Sequence, residues 1–428
     1  MEPAEAATPS LPLPPAAAVP AAAAKLAHPL TLPHFRNLWL GSTISLLGDQ
    51  FYLVALPWLV LQLTRSSVAL GTILMTAAVP RAALMLLGGA VTDRISARRV
   101  LMTTAAVRAL LVGAVAALVG FHAVALWQLY VLTFCFGIAD AFSFPAGPTL
   151  TPTLVQPQQL PAANALLQGS TVLAQMVGPA PAGILVKLWG IAGALALDAV
   201  SFLAVIVALF RIPDPPKAPA PAAGAPARPG MLHSIGEGLR AVRADRALAS
   251  LMLAFATINF CVAGPVGVGL AAVAKFRFGS AAAFGTFLSC FSGGTLAGLL
   301  LGGMVKRPRR RGLQFIVMGL LAGLELVVVG LVLKFAVIAA MLAVMGLGVG
   351  FVNVQFSAWM QARVERAVLG RVMSVLMFSA VGLVPVSYAI SGVVAHWSLP
   401  ALFVGAGAVL AATNAVMALG SRAAREID

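Results

Sequence analysis

Twelve apolar runs, each of 20–27 residues, decide most of what this chain can fold into. Six lie near 37–63, 68–91, 99–121, 125–150, 163–188 and 192–211; six more lie near 248–274, 281–305, 313–333, 335–360, 370–396 and 398–420. A helix of that length crosses the roughly 30 Å hydrocarbon core of a bilayer. Charged residues are only 10% of the 428, against roughly 25% in soluble domains, so there is too little charge to clothe a water-soluble surface. The expected fold class is an all-α membrane protein with twelve transmembrane helices.

The two sets of six are separated by Pro213, Pro215, Pro216, Pro219, Pro221, Pro226 and Pro229, which read as an extended linker. From Met231 to Arg246 one face is polar and carries Arg240, Arg243 and Arg246, the pattern of an amphipathic helix on the membrane surface. The expected organisation is a disordered tail over 1–36, a bundle over 37–211, a linker over 212–247, a second bundle over 248–420 and a tail over 421–428. The first 36 residues hold no continuous apolar core of signal-peptide length, and Lys25 follows the small-residue tract rather than leading it. Twenty-one of the 28 Lys and Arg fall in segments on the side of the termini, which predicts both termini in the cytoplasm. The Ala-rich composition suits a bacterial protein of the inner membrane.

The formal charge of +15 is explained by loop anchors rather than by nucleic acid, since no soluble basic domain with interleaved aromatics exists. Cys135, Cys261 and Cys290 are isolated within apolar runs, and no two histidines stand at ligand spacing, so no metal or other cofactor is expected. No Gly-Lys dipeptide occurs, which excludes a phosphate-binding loop of the ATP-pump type. An enzyme is not expected either: no paired carboxylates, His cluster or nucleophile stand near a membrane face.

The halves echo each other. The second run ends Gly88-Gly89-Ala90-Val91 before Thr92-Asp93-Arg94, and the eighth ends Gly302-Gly303-Met304-Val305 before Lys306-Arg307. Internal duplication around a linker is a mark of many transporters. On these residues the chain resembles the major facilitator superfamily. Gly89, Asp93, Arg94 and Arg98 match the signature loop that follows the second helix of that family, while Ser96 and Ala97 stand where Gly and Arg are usual. In the fifth run, Ala165, Ala174, Gly178-Pro179, Ala182 and Gly183 resemble the family's antiporter ladder of small residues ending in Gly-Pro. Leu47-Gly48-Asp49-Gln50, Gly137, Asp140, Pro145 and Asn164 most resemble the branch of enterobactin exporters and macrolide efflux proteins.

The resemblance implies two six-helix bundles with the first, fourth, seventh and tenth spans lining a cavity and the third, sixth and ninth at the periphery. It also implies a monomer. Asp93 would meet the start of the eleventh span near Gly370, Arg371 and Ser374 and hold an inner gate closed, a contact suited to a carboxylate beside a helix N-terminus and an arginine. The gating residues expected are thus Gly89, Asp93, Arg94, Arg98, Gly178, Pro179 and Arg371.

An ionised side chain at the bilayer centre costs about 2.5–3.5 kcal/mol on insertion scales, so each one needs a wet interior or a partner. Asp49, Arg81, Arg108, Asp140, Asp198 and Glu325 lie inside the runs. Asp49, midway along the first run beside Gly48, is the leading candidate for proton or substrate handling, with Arg81 as its expected counter-charge. Asp140 joins them in one half-site, suited equally to gating. Asn259 and Cys261 in the seventh run and Asn353 and Gln355 in the tenth would face that site or simply bond between helices. Gln168 and Gln175 are weaker candidates. Arg108, Asp198 and Glu325, on runs that the resemblance makes peripheral, read as structural or gating. Phe51, Tyr52, Trp58, Phe142 and Phe144 could stack a large apolar substrate or serve as packing.

The function expected is efflux of an amphipathic small molecule, such as a siderophore, a macrolide or another drug, by alternating access with proton antiport. A lysophospholipid flippase or a nutrient uptake carrier is the alternative, and a sensor or scaffold that transports nothing is a distant third.

Overall fold

A computed structural model of the chain describes residues 28–214, 236, 239–240, 242, 245–305, 311–332, 334–364 and 366–420, with the side chains at 86–94, 246–247, 366–371, 374, 378 and 420 left aside. Most of the expected linker and of the two tails, with the amphipathic helix, lies outside these residues. Among the described residues there is no strand. The first half runs Pro33–Thr64, Ser67–Arg94, Ala97–Gly120, Leu126–Leu150, Leu160–Val177 and Pro179–Phe210. The second runs Arg246–Gly264, Leu270–Phe276, Ala281–Met304, Arg311–Leu331, Phe335–Arg363, Arg366–Gly382, Val384–Trp397 and Leu399–Gly420.

Among the described residues, eleven helical segments are long and apolar enough to cross a membrane. The twelfth crossing is hidden by two interruptions. Pro179 cannot donate a backbone hydrogen bond, so the fifth span breaks at Gly178-Pro179 and resumes over 179–189. Gly190, at φ 75° and ψ 176°, then turns the chain into the sixth span over 191–210. The seventh span passes through a π-turn at Pro265–Gly269, and the eleventh breaks before Pro385.

Small residues set how closely the spans approach, since lipid gives apolar side chains no reason to prefer each other over acyl chains. A side chain at Gly298 would strike the Leu347 carbonyl, and one at Gly346 would strike the Phe291 carbonyl, so the eighth and tenth spans touch backbone to backbone. Gln355 fastens the same pair by donating from Nε2 to the Gly302 carbonyl at 2.7 Å.

The halves meet at the end of the bundle opposite Pro33, Phe210 and Gly420. Gly71 of the second span lies against the Tyr388 carbonyl and Gly392 of the eleventh. Gly183 of the fifth lies against Ala281 and Ala282 of the eighth, and Gly285 against the Pro179 carbonyl. The Ala180 N–H, freed by the helix break, donates to Ser289 Oγ at 3.1 Å. The Lys275 ammonium stands 4.2 Å from the Trp58 ring centre across the same seam.

Candidate functional site

Five charged side chains converge in the first half, each from near the middle of its helix: Asp49, Arg81, Arg108, Asp140 and Asp198. Arg108 is the hub. Its Nη2 donates to Asp49 Oδ1 at 3.1 Å and lies 3.8 Å from Asp140 Oδ1. The guanidinium is held between the rings of Phe136 and Phe202, at 4.7 and 4.8 Å from their centres. Aromatic faces attract a desolvated cation, which helps to hold the Arg108 guanidinium in place. Tyr52 stacks on the far side of this group against Phe136, with ring centres 4.6 Å apart.

Arg81 Nε lies 3.2 Å from Asp140 Oδ2, an ion pair without hydrogen-bond alignment, and its guanidinium lies 5.9 Å from the Phe144 ring. The Arg81 side chain is 42% exposed, Asp49 27% and Asp140 21%, so this is the more accessible side of the cluster. Asp198 forms the closed side. It is 0% exposed, and its Oδ2 has no hydrogen-bond partner. Gly48 makes room for it: a side chain there would collide with Ser201 Oγ and come within 2.8 Å of Asp198 Oδ1.

The sequence pairs Asp49 with Arg81, but the structure pairs Asp49 with Arg108 and gives Arg81 to Asp140. The physical reason is reach. A peripheral helix can still send a long arginine inward along aromatic surface, and the third span does so. Arg108 and Asp198, set aside in the sequence as structural or gating, therefore belong to the central group. The signal available was two opposite charges at matching depth in neighbouring spans.

The second half contributes little charge. Asn259 Nδ2 donates to its own helix at the Phe255 carbonyl, 2.8 Å away. Asn353 is exposed and Cys261 buried, and Gln355 is consumed by its tie to Gly302. Gln168 and Gln175 are exposed on the fifth span. Glu325 is 8% exposed in the ninth span, with no ion pair among the described residues.

Of the expected gating residues, the side chains of Gly89, Asp93, Arg94 and Arg371 lie outside the described residues. Arg98 Nε donates to the Leu209 carbonyl at 2.8 Å, and Arg98 and Arg99 both pair with Asp214, at 3.2 and 2.9 Å. Hydrogen bonds from Arg99 and Arg98 hold the Asp214 carboxyl below the usual carboxylate range. Gly178 packs on Gln50 of the first span, and the Pro179 carbonyl on Gly285, so three spans meet at one point.

A groove of about 690 Å³ runs down the seam of the first and sixth spans. Leu40, Ile44, Leu47, Val200, Leu203 and Val207 line it, Asn37 and Arg211 stand at one end, and Gly48 and Ser201 form part of its wall.

Comparison with known proteins agrees with this architecture. The chain is 25% identical over 349 residues to macrolide efflux protein A of Streptococcus pyogenes, covering 79% of this chain and 84% of that protein. It is 26% identical over 407 residues to the multidrug efflux pump Tap of Mycolicibacterium fortuitum, covering 89% and 95%. The fold superposes on the nucleoside transporter NupG with a TM-score of 0.68 at 14% identity, covering 91% of this chain and all of that one. A bacterial homologue of ferroportin in an inward-facing state gives 0.65 at 16%, covering 90% and 98%. Residues 38–387 match the family profile described as Major Facilitator Superfamily, and the chain belongs to that family.

Proposed function

We propose that the chain exports an amphipathic, cationic small molecule, of macrolide or similar drug-like type, in exchange for protons. The observation that carries the reading is the cluster itself: three carboxylates and two arginines at mid-depth, with Asp49 and Asp140 partly exposed. A cation entering from the open side would compete with Arg108 for Asp49, while the aromatic faces of Tyr52, Phe136 and Phe144 would take its apolar body. The groove beside the first span offers apolar surface within one helix of the same group. The named efflux relatives support an outward direction. The basic residues gathered on the side of the termini support a cytoplasmic position for both ends, in a bacterial inner membrane. With that orientation, the seam through Gly71 and Gly392 is the outer closure.

Inverted membrane vesicles test the reading. Erythromycin and ethidium should accumulate in vesicles carrying the protein when an acid-inside gradient is imposed. A protonophore should abolish the accumulation, and Asp49→Asn should reduce it by at least tenfold. Accumulation unaffected by the protonophore would refute the exchange, and uptake only in right-side-out vesicles would refute the direction.

A further inference from the structure

We propose that Asp198 carries the exchanged proton and surrenders it when a cationic substrate takes Asp49 away from Arg108. The assignment rests on the exchange reading above and names the group responsible.

Charge balance singles out Asp198. The cluster holds three acids, Asp49, Asp140 and Asp198, and two bases, Arg81 and Arg108. Asp49 has Arg108 at 3.1 Å, and Asp140 has Arg81 at 3.2 Å and Arg108 at 3.8 Å. The two bases are thereby committed. Asp198 has no ion pair among the described residues, is fully buried, and leaves Oδ2 without a partner. An uncompensated charge in that position is the costly arrangement, and one bound proton removes it.

Hydrogen-bond geometry agrees. Ser201 owns one hydrogen and can accept two bonds. Its Oγ lies 2.7 Å from the Asp198 main-chain carbonyl, which can only accept, and 3.4 Å from Asp198 Oδ1. The hydrogen belongs on the shorter contact, which leaves Ser201 Oγ facing the carboxyl as an acceptor. A carboxylic acid suits that neighbour, whereas a carboxylate sets lone pair against lone pair.

The surroundings supply the exchange. Asp49 and Tyr52 face Asp198 from the first span, and Arg108 faces it from the third, with Asp140 of the fourth behind Arg108. The one charged residue of the fifth span, Lys187, is exposed near the turn at Gly190, and the eighth span, packed against the same helix, carries no charged side chain; its one titratable group is Cys290. Phe202, one ring of the Arg108 clamp, stands one helical turn from Asp198. When a substrate cation occupies Asp49, Arg108 loses its hydrogen-bond partner while still held by the rings. Asp198 is the acid left to receive it. The O–H bond of Asp198 then breaks, the proton passes to water on the open side, and the carboxylate pairs with Arg108. Charge is conserved: one cation arrives and one proton leaves. Return of a proton to Asp198 from the opposite face, after the substrate departs, restores the Asp49–Arg108 pair.

The full-length protein in detergent tests this with tetraphenylphosphonium, a permanent cation with no proton of its own. The wild type should release about one proton per cation bound, and its affinity should rise about tenfold per pH unit across the working window. Asp198→Asn keeps the shape and the hydrogen bond but cannot give up a proton. It should bind the cation with no dependence on pH and release no proton. A variant that keeps both behaviours would overturn the assignment to Asp198. A wild type that binds the cation and releases nothing would overturn the exchange reading as well.

A second measurement needs no variant. Dicyclohexylcarbodiimide adds to a protonated carboxyl in an apolar site and rearranges to a stable N-acylurea. Peptide mass spectrometry of the wild type should find the adduct on Asp198, at least fivefold less with the cation bound. An adduct confined to Asp49 or Asp140 would refute the proposal.

Discussion

Arg108→Gln is the most searching perturbation of the cluster. The side chain is 16% exposed, bridges Asp49 and Asp140, and rests between two rings. Removing one member of a buried ion pair costs about 3–5 kcal/mol, because the partner charge is left uncompensated. Loss of the two ring contacts adds about 1 kcal/mol. The single variant should thus lose about 4–6 kcal/mol in equilibrium unfolding by sodium dodecyl sulfate. Asp49→Asn alone should cost less, since Arg108 keeps Asp140 and both rings. The double variant, with neither charge, should recover about 2–3 kcal/mol relative to the sum of the single changes. A coupling energy under about 0.5 kcal/mol would show that the two groups act independently, and the cluster would not be the unit described here.

Four further outcomes follow from the geometry. Gly71→Leu places a side chain against the Tyr388 carbonyl and should hold the Gly71–Gly392 seam apart; on the proposed orientation, a thiol reagent added outside should then label a cysteine at position 68 faster, and an unchanged rate would refute the closure. Asp214 has a depressed carboxyl, so its contribution is present above the unfolded value near pH 3.9 and is lost as pH falls through the lower folded value. Accordingly Asp214→Asn should speed tryptic cleavage after Arg98 and Arg99 at neutral pH, and cleavage at the wild-type rate would count against the clamp. Gln355→Leu should lower stability by about 0.5–1.5 kcal/mol through the lost bond to Gly302 while leaving transport within twofold, and a larger transport defect would give Gln355 a direct role. Glu325→Gln should leave both the proton release and the pH dependence of cation binding unchanged, because no arginine stands beside it among the described residues.

The sequence and the structure agree where the physics is one-dimensional. A span is a property of consecutive residues, so Pro33–Thr64 or Arg311–Leu331 can be found by length and apolarity alone. Asp49, Arg81 and Asp140 stood out for the same reason, as charges where lipid makes charge expensive. Which carboxylate meets which arginine depends instead on how each helix is rotated and how far a side chain reaches. Arg108 crosses from the third span on the faces of Phe136 and Phe202, rings from two other helices that no local pattern ties together. Gln355 shows the converse: a polar residue in the tenth span looked like a wall of the site, yet it spends its amide on the Gly302 carbonyl. The break at Gly190 falls in the short gap between the runs 163–188 and 192–211, and the positive φ there makes the turn.

The glycine seam between the halves has an energetic consequence. Gly71, Gly183, Gly285 and Gly392 bring main chain onto main chain, and among the described residues no acid–base pair crosses the junction. Each atom pair there contributes about 0.1–0.2 kcal/mol, and lipid tails or water return much of it on separation. Such a zipper of glycines adheres without locking. On the proposed alternating-access reading, two positions of the halves would then lie close in free energy, and the occupancy of a few charged groups deep in one half would be enough to choose between them.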